Sequence, residues 1–222
     1  MLLQRFSRIT GSRFLRCRIA PACLYLMLIG GCASDPSQKH QSAAPNADGE
    51  QGVVREIPPR AMTLFEQAVA ILSTGDIVEA QFRFQEFLLQ YPDFPGAHVN
   101  LAIIYAQNGD DRAAEGSITD ALIIDPEHPA ALNQLGMLLR RQGKFAEAES
   151  AYMKAVTADP NYALAHYNLG VLNELYLQRL DVALLHFEYY QSLIDEDKQV
   201  EKWITDLKRR VQVNQRTANV TE

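Results

Sequence analysis

The sequence predicts an all-α fold, a solenoid of about four stacked helix pairs closed by one C-terminal capping helix. Three consecutive blocks of 34 residues, 61–94, 95–128 and 129–162, align without a gap. The blocks also share glycine, alanine and proline at fixed positions. A period of this size is the signature of a solenoid, in which each unit buries its apolar face against its neighbours.

Small residues and helix breakers stand where a pair of packed helices requires them. Gly75, Gly109 and Gly143 occupy position 15 of the blocks, and glycine accepts the left-handed conformation that ends a first helix. Asp76 and Asp110 follow two of these glycines, so we expect them to cap the second helix. Proline at position 32 ends the second helix. Alanine or glycine at positions 8 and 20 lets the two helices cross closely.

This pattern resembles the tetratricopeptide repeat family, which has marks at positions 4, 7, 8, 11, 20, 24, 27 and 32. The third block supplies Leu132, Leu135, Gly136, Leu139, Ala148, Tyr152, Ala155 and Pro160. The first block departs from the pattern at Gln67 and Phe87, as terminal repeats do. The resemblance implies a right-handed superhelix with a concave inner face that binds other proteins.

The end of the folded region continues the pattern with changes. Residues 163–194 form a divergent fourth repeat, whose turn at 176–179 has no glycine and whose later marks match only after a one-residue insertion. Residues 197–213 then place apolar side chains at helical spacing, which predicts a helix that covers the last repeat. We assign residues 60–213 to the repeat domain and 214–222 to a disordered tail.

The amino terminus is expected to direct export and anchoring. Five arginines without an acid precede an apolar run from Ile19 to Ile29, which is too short to span a bilayer and is typical of a secretory signal peptide. The run ends in Leu28-Ile29-Gly30-Gly31-Cys32, which resembles the lipobox of bacterial lipoproteins. The resemblance implies cleavage after residue 31 and acylation of Cys32. An incidental cysteine behind an ordinary signal peptide, or a short uncleaved anchor, is the alternative.

The residues after the cysteine bear on location. Ala33-Ser34 follow Cys32 without an aspartate, which by resemblance to Gram-negative lipoprotein sorting favours the outer membrane, facing the periplasm, over the inner membrane. Residues 33–58 show no apolar period, which predicts a disordered linker with a reach on the order of 30 Å. We assign 1–31 to the signal peptide and 32–59 to the lipidated cysteine and linker.

Composition and motifs argue against nucleic-acid binding and against catalysis. Without the five N-terminal arginines the chain has 16 bases against 27 acids, a net charge of −11, whereas nucleic-acid binding needs clustered Lys and Arg. All three cysteines lie in the first 32 residues, so the repeats have no thiolate ligands. His98 and His166 fill position 4, which needs a large residue, and no catalytic motif occurs. We expect no enzyme activity, cofactor or metal.

The resemblance also implies where a partner binds, because positions 2, 5, 6, 9, 12 and 13 of first helices face the groove in the family. Asn100, Gln134 and Asn168 repeat at position 6 as a ladder of amides, which suits the backbone of an extended peptide. Arg140 and Arg141 are the only adjacent bases of the repeats and suit a carboxylate. The predicted partner-binding residues are Phe65, Val69, Asn100, Ile103, Gln134, Met137, Arg140, Arg141, Tyr167 and Asn168.

Alternatives stay open for these residues. In the alternative interpretation, the amides form hydrogen bonds between helices and Arg141 is solvated. The apolar side chains then pack against a long capping element instead of a partner. If the groove assignment holds, replacing Asn168 by alanine and Arg140 by glutamate weakens partner capture without lowering the melting temperature.

The predicted function is that of a membrane-anchored scaffold or adaptor in cell-envelope assembly, such as pilus, secretion or outer-membrane machinery. The alternatives are an accessory subunit of an energised inner-membrane transport or secretion system, and a regulator of a peptidoglycan enzyme.

Overall fold

A computed structural model describes residues 57–220, with side chains described to residue 216. This part of the chain contains nine α-helices and no strand, which confirms the predicted all-α fold. The helices are α1 (Pro59–Thr74), α2 (Ile77–Gln90), α3 (Pro95–Gln107), α4 (Asp111–Ile124), α5 (Pro129–Arg141), α6 (Phe145–Ala158), α7 (Ala163–Leu175), α8 (Leu180–Leu193) and α9 (Lys198–Val220). The predicted signal peptide, Cys32 and nearly all of the linker lie outside the described residues.

The turns between paired helices have the conformations that their glycine and aspartate residues predict. Gly75, Gly109 and Gly143 have φ angles of +89°, +78° and +76°, the left-handed conformation predicted for them. The Oδ1 atoms of Asp76 and Asp110 accept the backbone N–H three residues further on, at 3.1 and 3.0 Å. These carboxylates therefore cap α2 and α4, as predicted.

The turn between α7 and α8 differs from the other three. It has four residues, 176–179, where α5 and α6 are joined by three, 142–144. Gln178 has a φ of +56° and is the one non-glycine residue with positive φ in the described part of the chain. The insertion predicted from the sequence is thus accommodated by a left-handed residue other than glycine.

Close crossing within a helix pair depends on a missing side chain. A Cβ added at Gly136 would lie 2.5 Å from the ring of Tyr152, and one at Gly170 would lie 2.6 Å from the ring of Phe187. Both rings are fully buried. Position 8 must therefore be small because the aromatic ring of the second helix lies directly against it.

Successive pairs stack so that the first helices form the closer row. Helix α3 packs against α5, and α5 packs against α7. Within residues 57–220, no comparable packing joins α4 to α6 or α6 to α8. The array therefore curves with α3, α5 and α7 on its inner side, which is the face to which the sequence assigned the groove.

The predicted capping helix is α9, and it covers the last helix pair. Val200, Ile204 and Leu207 are buried in one cluster with Phe187 of α8. Asp197 caps α9 by accepting two backbone N–H groups through Oδ1, at 3.0 and 3.3 Å. The helix continues to residue 220 rather than ending at 213, because no glycine or proline interrupts it there. Most of the tail predicted to be disordered is therefore helical.

Candidate protein-binding site

Arg140 is a half-buried cation on the inner row. Among the Lys and Arg side chains of residues 57–216, only Arg140 and Arg210 are not exposed. Arg210 pairs with Glu174 at 2.7 Å and with Asp206 at 3.4 Å. Arg140 forms no ion pair with any described residue, and its Nε atom is buried without a hydrogen-bond partner there. Its guanidinium is therefore left without a carboxylate partner among residues 57–216.

Three tyrosines lie near this guanidinium. Its central carbon lies 5.8 Å from the ring centroid of Tyr176. Burial raises the pKa of Tyr152 and of Tyr167, and the nearby positive charge of Arg140 opposes the rise in both. The ring of Tyr176 stabilises the cation without using its N–H groups, whereas the hydroxyl of Tyr152 lies close enough to interact with the guanidinium directly.

Arg141 makes two contacts within the array. Its Nη2 atom lies 2.6 Å from Oδ1 of Asp111, and its Nη1 donates to the backbone oxygen of Ala106 at 3.1 Å. Both partners belong to the second repeat, so Arg141 ties the third repeat to it. The prediction that Arg141 binds a partner stays a prediction, and a partner that binds there has to compete with this exposed ion pair.

The amides predicted to form a ladder make hydrogen bonds within the array. Asn168 is buried and its Nδ2 donates to Oδ1 of Asn133 at 2.9 Å. Asn100 donates to the backbone oxygen of Gly96 in its own helix, at 2.8 Å. Each amide nitrogen already donates one hydrogen bond within the array, and the alternative of an inter-helix hydrogen bond is confirmed for Asn168. Only Gln134 is half-buried without a hydrogen bond to another described residue.

The spacing of these contacts explains why the ladder does not form. The bond from Asn168 to Asn133 and the bond from Arg141 to Ala106 each join residues 35 apart. Neighbouring first helices thus meet one residue out of step with the 34-residue repeat. Position 6 of one repeat therefore contacts position 5 of the repeat before it rather than another position 6.

The apolar predicted residues are half-buried and support the core as well as the inner face. Phe65 has its ring centroid 4.9 Å from that of Phe94, and Val69 belongs to the same cluster. Ile103 packs against the cluster of Val99, Ala121 and Ala131, and Met137 packs against that of Leu169 and Leu172. These side chains offer a partner only their outer edges.

Tyr167 is partly covered by the capping helix. Its ring centroid lies 6.2 Å from that of Trp203 in α9 and 6.1 Å from that of Phe187. The alternative that apolar groove residues pack against a capping element is therefore confirmed for Tyr167. Trp203 adjoins the inner face at this end, and sequence reasoning missed it because its helix was assigned only a covering role.

A histidine pair was also missed. The Nδ1 atoms of His166 and His186 lie 3.2 Å apart, between α7 and α8. Burial and the proximity of His166 lower the pKa of His186 to about 4, and burial lowers the pKa of His166. The sequence placed His166 at position 4, but the insertion before α8 concealed which residue faces it.

Two further searches of residues 57–220 give negative results. No helix there is long and apolar enough to cross a membrane. No three or more His, Cys, Asp or Glu residues come together there as a possible metal-binding group.

Comparison with protein families agrees with the geometry. Models of the tetratricopeptide repeat match residues 65–129 and residues 136–175. These two stretches consist of tetratricopeptide repeats. Proteins built from tetratricopeptide repeats generally mediate protein–protein interactions, and no catalytic family is indicated. No curated protein sequence matches the chain.

Solved tetratricopeptide-repeat structures share this fold. PilF of Pseudomonas aeruginosa is 24% identical with a TM-score of 0.60, over 71% of this chain and 72% of PilF. A tetratricopeptide-repeat protein of Thermus thermophilus, TTC0263, is 18% identical with a TM-score of 0.57, over 66% and 80% of the two chains. MamA of Desulfovibrio magneticus RS-1 is 20% identical with a TM-score of 0.55, over 74% and 92%. Identities this low establish the fold alone.

Proposed function

We propose that this protein is a membrane-anchored scaffold whose inner face binds an extended segment of a partner during cell-envelope assembly. The observation that carries the proposal is Arg140, a half-buried cation without a carboxylate partner among the described residues, on the inner row of an interaction fold. A half-buried charge is costly unless it is paired. A partner that supplies a carboxylate relieves this cost and gains a charge-assisted hydrogen bond.

The segment that fits carries a carboxylate beside apolar side chains. The half-buried Met137 lies one helical turn before Arg140 on α5, and Gln134 lies one turn before Met137. The three side chains therefore offer apolar contact, amide hydrogen bonding and positive charge along one stripe. Phe65, Val69, Ile103 and Tyr167 add apolar edges along the same row of first helices.

The membrane half of the proposal rests on the sequence. Cys32 follows a lipobox-like stretch, and residues 33–58 have the composition of a flexible tether. A lipid on Cys32 holds the array at the membrane, because each buried CH₂ of an acyl chain contributes about 0.8 kcal/mol of membrane affinity. The absence of aspartate after Cys32 favours the outer membrane, with the array in the periplasm.

The groove is tested by crosslinking in intact cells. A photo-crosslinking amino acid at position 134 is combined with Arg140→Gln in the full chain, and the covalent partners are identified by mass spectrometry. We expect a discrete partner that is lost in Arg140→Gln and kept in the control Arg112→Gln, which removes an exposed arginine from α4. Equal capture by the two variants overturns the groove assignment. The partner also decides between envelope assembly, an inner-membrane transport system and a peptidoglycan enzyme.

The anchor is tested by Cys32→Ser and by inhibition of the lipoprotein signal peptidase. The variant is expected to leave the membrane fraction, and the inhibitor is expected to accumulate the uncleaved precursor. Density separation of the two membranes then reports the location. Unchanged processing under the inhibitor shows that the anchor model is wrong.

A further inference from the structure

The two imidazoles of His166 and His186 face each other across the fourth helix pair. Their Nδ1 atoms are 3.2 Å apart and their ring centroids are 5.4 Å apart. His166 is buried, and His186 is half-buried. The ring of Tyr189 stacks on His166 at 4.6 Å and holds that imidazole in place. The pair therefore lies on two neighbouring helices with its Nδ1 atoms facing each other.

The other nitrogen of His166 fixes its tautomer. Its Nε2 lies 3.1 Å from the backbone oxygen of Pro160, and because a carbonyl oxygen only accepts, this Nε2 carries the hydrogen. In the neutral ring the lone pair is then on Nδ1, facing His186. A backbone carbonyl bound to the second nitrogen is the arrangement that orients metal-ligating histidines.

The second repeat provides an internal comparison. His98 occupies the same position 4, and its Nε2 lies 3.1 Å from the backbone oxygen of Pro92. Its Nδ1, however, faces Oδ2 of Asp120 at 3.8 Å, and no second imidazole is present. The histidine–carbonyl bond thus belongs to the repeat, whereas the facing imidazole is particular to the fourth pair.

We propose that Nδ1 of His166 and Nδ1 of His186 together bind a divalent transition metal ion of the class that imidazole prefers, namely Zn²⁺, Ni²⁺ or Cu²⁺. With metal–nitrogen bonds of about 2.0–2.1 Å, nitrogens 3.2 Å apart subtend an angle of about 100° at the metal, which is close to tetrahedral. The site is independent of the groove and of the proposed scaffold function.

The remaining coordination positions fall to water or to a group outside the described chain, because no third His, Cys, Asp or Glu of residues 57–220 joins the pair. Without metal, Nδ1–H of His186 donates to Nδ1 of His166. Metal binding moves that proton to Nε2 of His186, so both rings stay neutral and no proton is released. The bound ion joins the first turn of α7 to α8.

The test is metal-dependent thermal unfolding of the full chain, without an affinity tag and with its cysteines alkylated. Circular dichroism is followed in EDTA and then with Zn²⁺ or Ni²⁺. We expect either metal to raise the wild-type Tm by several degrees. His186→Asn, which keeps an N–H near the Nδ1 position, is expected to fold in EDTA but to lose the metal-dependent rise. Its metal affinity by calorimetry is expected to fall at least about tenfold.

The control is His98→Asn, which removes the equivalent histidine of the second repeat and is expected to keep the full rise. A second variant, His186→Gln, provides the same comparison if the asparagine variant folds poorly. The proposal is overturned if the wild type shows no rise, if both His186 variants keep it, or if His98→Asn loses it.

Discussion

The ring of Tyr152 lies against the backbone of Gly136, where a Cβ would be only 2.5 Å from both Cδ1 and Cε1. The contact joins position 8 of a first helix to position 24 of its partner helix. Gly170 and Phe187 repeat it in the fourth pair, at 2.6 Å. A rule that sequence patterns express as "small residue at position 8" is thus a direct contact between one backbone and one ring.

Gly136→Ala is expected to destabilise the array by up to about 2 kcal/mol. Alanine gains about 1 kcal/mol in helix propensity, but overpacking a well-packed core costs about 1–3 kcal/mol, and the fully buried ring has no space to move. Urea denaturation measures the difference. The control is Gly116→Ala in α4, where a Cβ meets nothing within 4 Å and only the gain remains. Equal stabilisation by both substitutions would contradict the contact.

Gln178→Gly is expected to stabilise the array by about 0.5–1 kcal/mol. The left-handed conformation costs a residue with a Cβ about 1–2 kcal/mol, and the greater unfolded-state entropy of glycine offsets part of the relief. Gly143→Ala, at a φ of +76°, should lose about 1 kcal/mol by the same reasoning. Thermal unfolding compares the two variants with the wild type, and a lower Tm for Gln178→Gly would refute the strain.

Asn168→Ala is expected to lower the stability of the array by about 1–3 kcal/mol, because it leaves Oδ1 of the buried Asn133 without its donor. This replaces the expectation that alanine at 168 leaves the melting temperature unchanged. A double-mutant cycle with Asn133→Ala isolates the pair, and the coupling should exceed about 0.5 kcal/mol. Strictly additive losses would mean that the amides do not act together.

The stability of the metal-free array is expected to fall as the pH falls from about 6.5 towards 4. The folded pKa of His186 is about 4, below the value of about 6.5 for an unfolded histidine, so in this window the unfolded chain binds a proton that the folded chain does not. The lowered pKa values of His166 and His128 act in the same direction.

Melting in EDTA at pH 5 and pH 7 measures the effect. His186→Asn should lose part of the drop, while the acid-induced loss common to both chains cancels in the comparison. A drop of the same size in both chains would show that His186 does not contribute.

Much of the fold follows from the sequence because its marks have local causes. Gly75, Gly109 and Gly143 end helices through their own backbone conformation, and Asp76 and Asp110 cap the helices that begin beside them. Gly136 follows from a fixed spacing to the ring of its partner helix. Each of these contacts lies within one helix pair, so it recurs with the 34-residue period and can be predicted from the sequence. The proposal that Cys32 carries a lipid also rests on the sequence alone, because this cysteine lies outside the described residues.

The tertiary structure decided which polar side chains meet between repeats. The sequence grouped Arg140 with Arg141 and aligned Asn168 with Asn100, yet Arg141 pairs with Asp111 and Asn168 bonds to Asn133. Contacts between stacked helices depend on their rotation and offset, and here first helices meet at a separation of 35 residues rather than 34.

The pairing of His166 with His186 has the same kind of cause. One inserted residue in the 176–179 turn shifts every position of α8 by one relative to an uninterrupted repeat, so position numbers alone do not show which residue faces His166. The sequence by itself determined the helix pairs and the face on which a partner is proposed to bind. Only the packed structure decided that Arg140 forms no ion pair with a described residue, because the partners of its neighbours are set by helix offset and not by spacing along the chain.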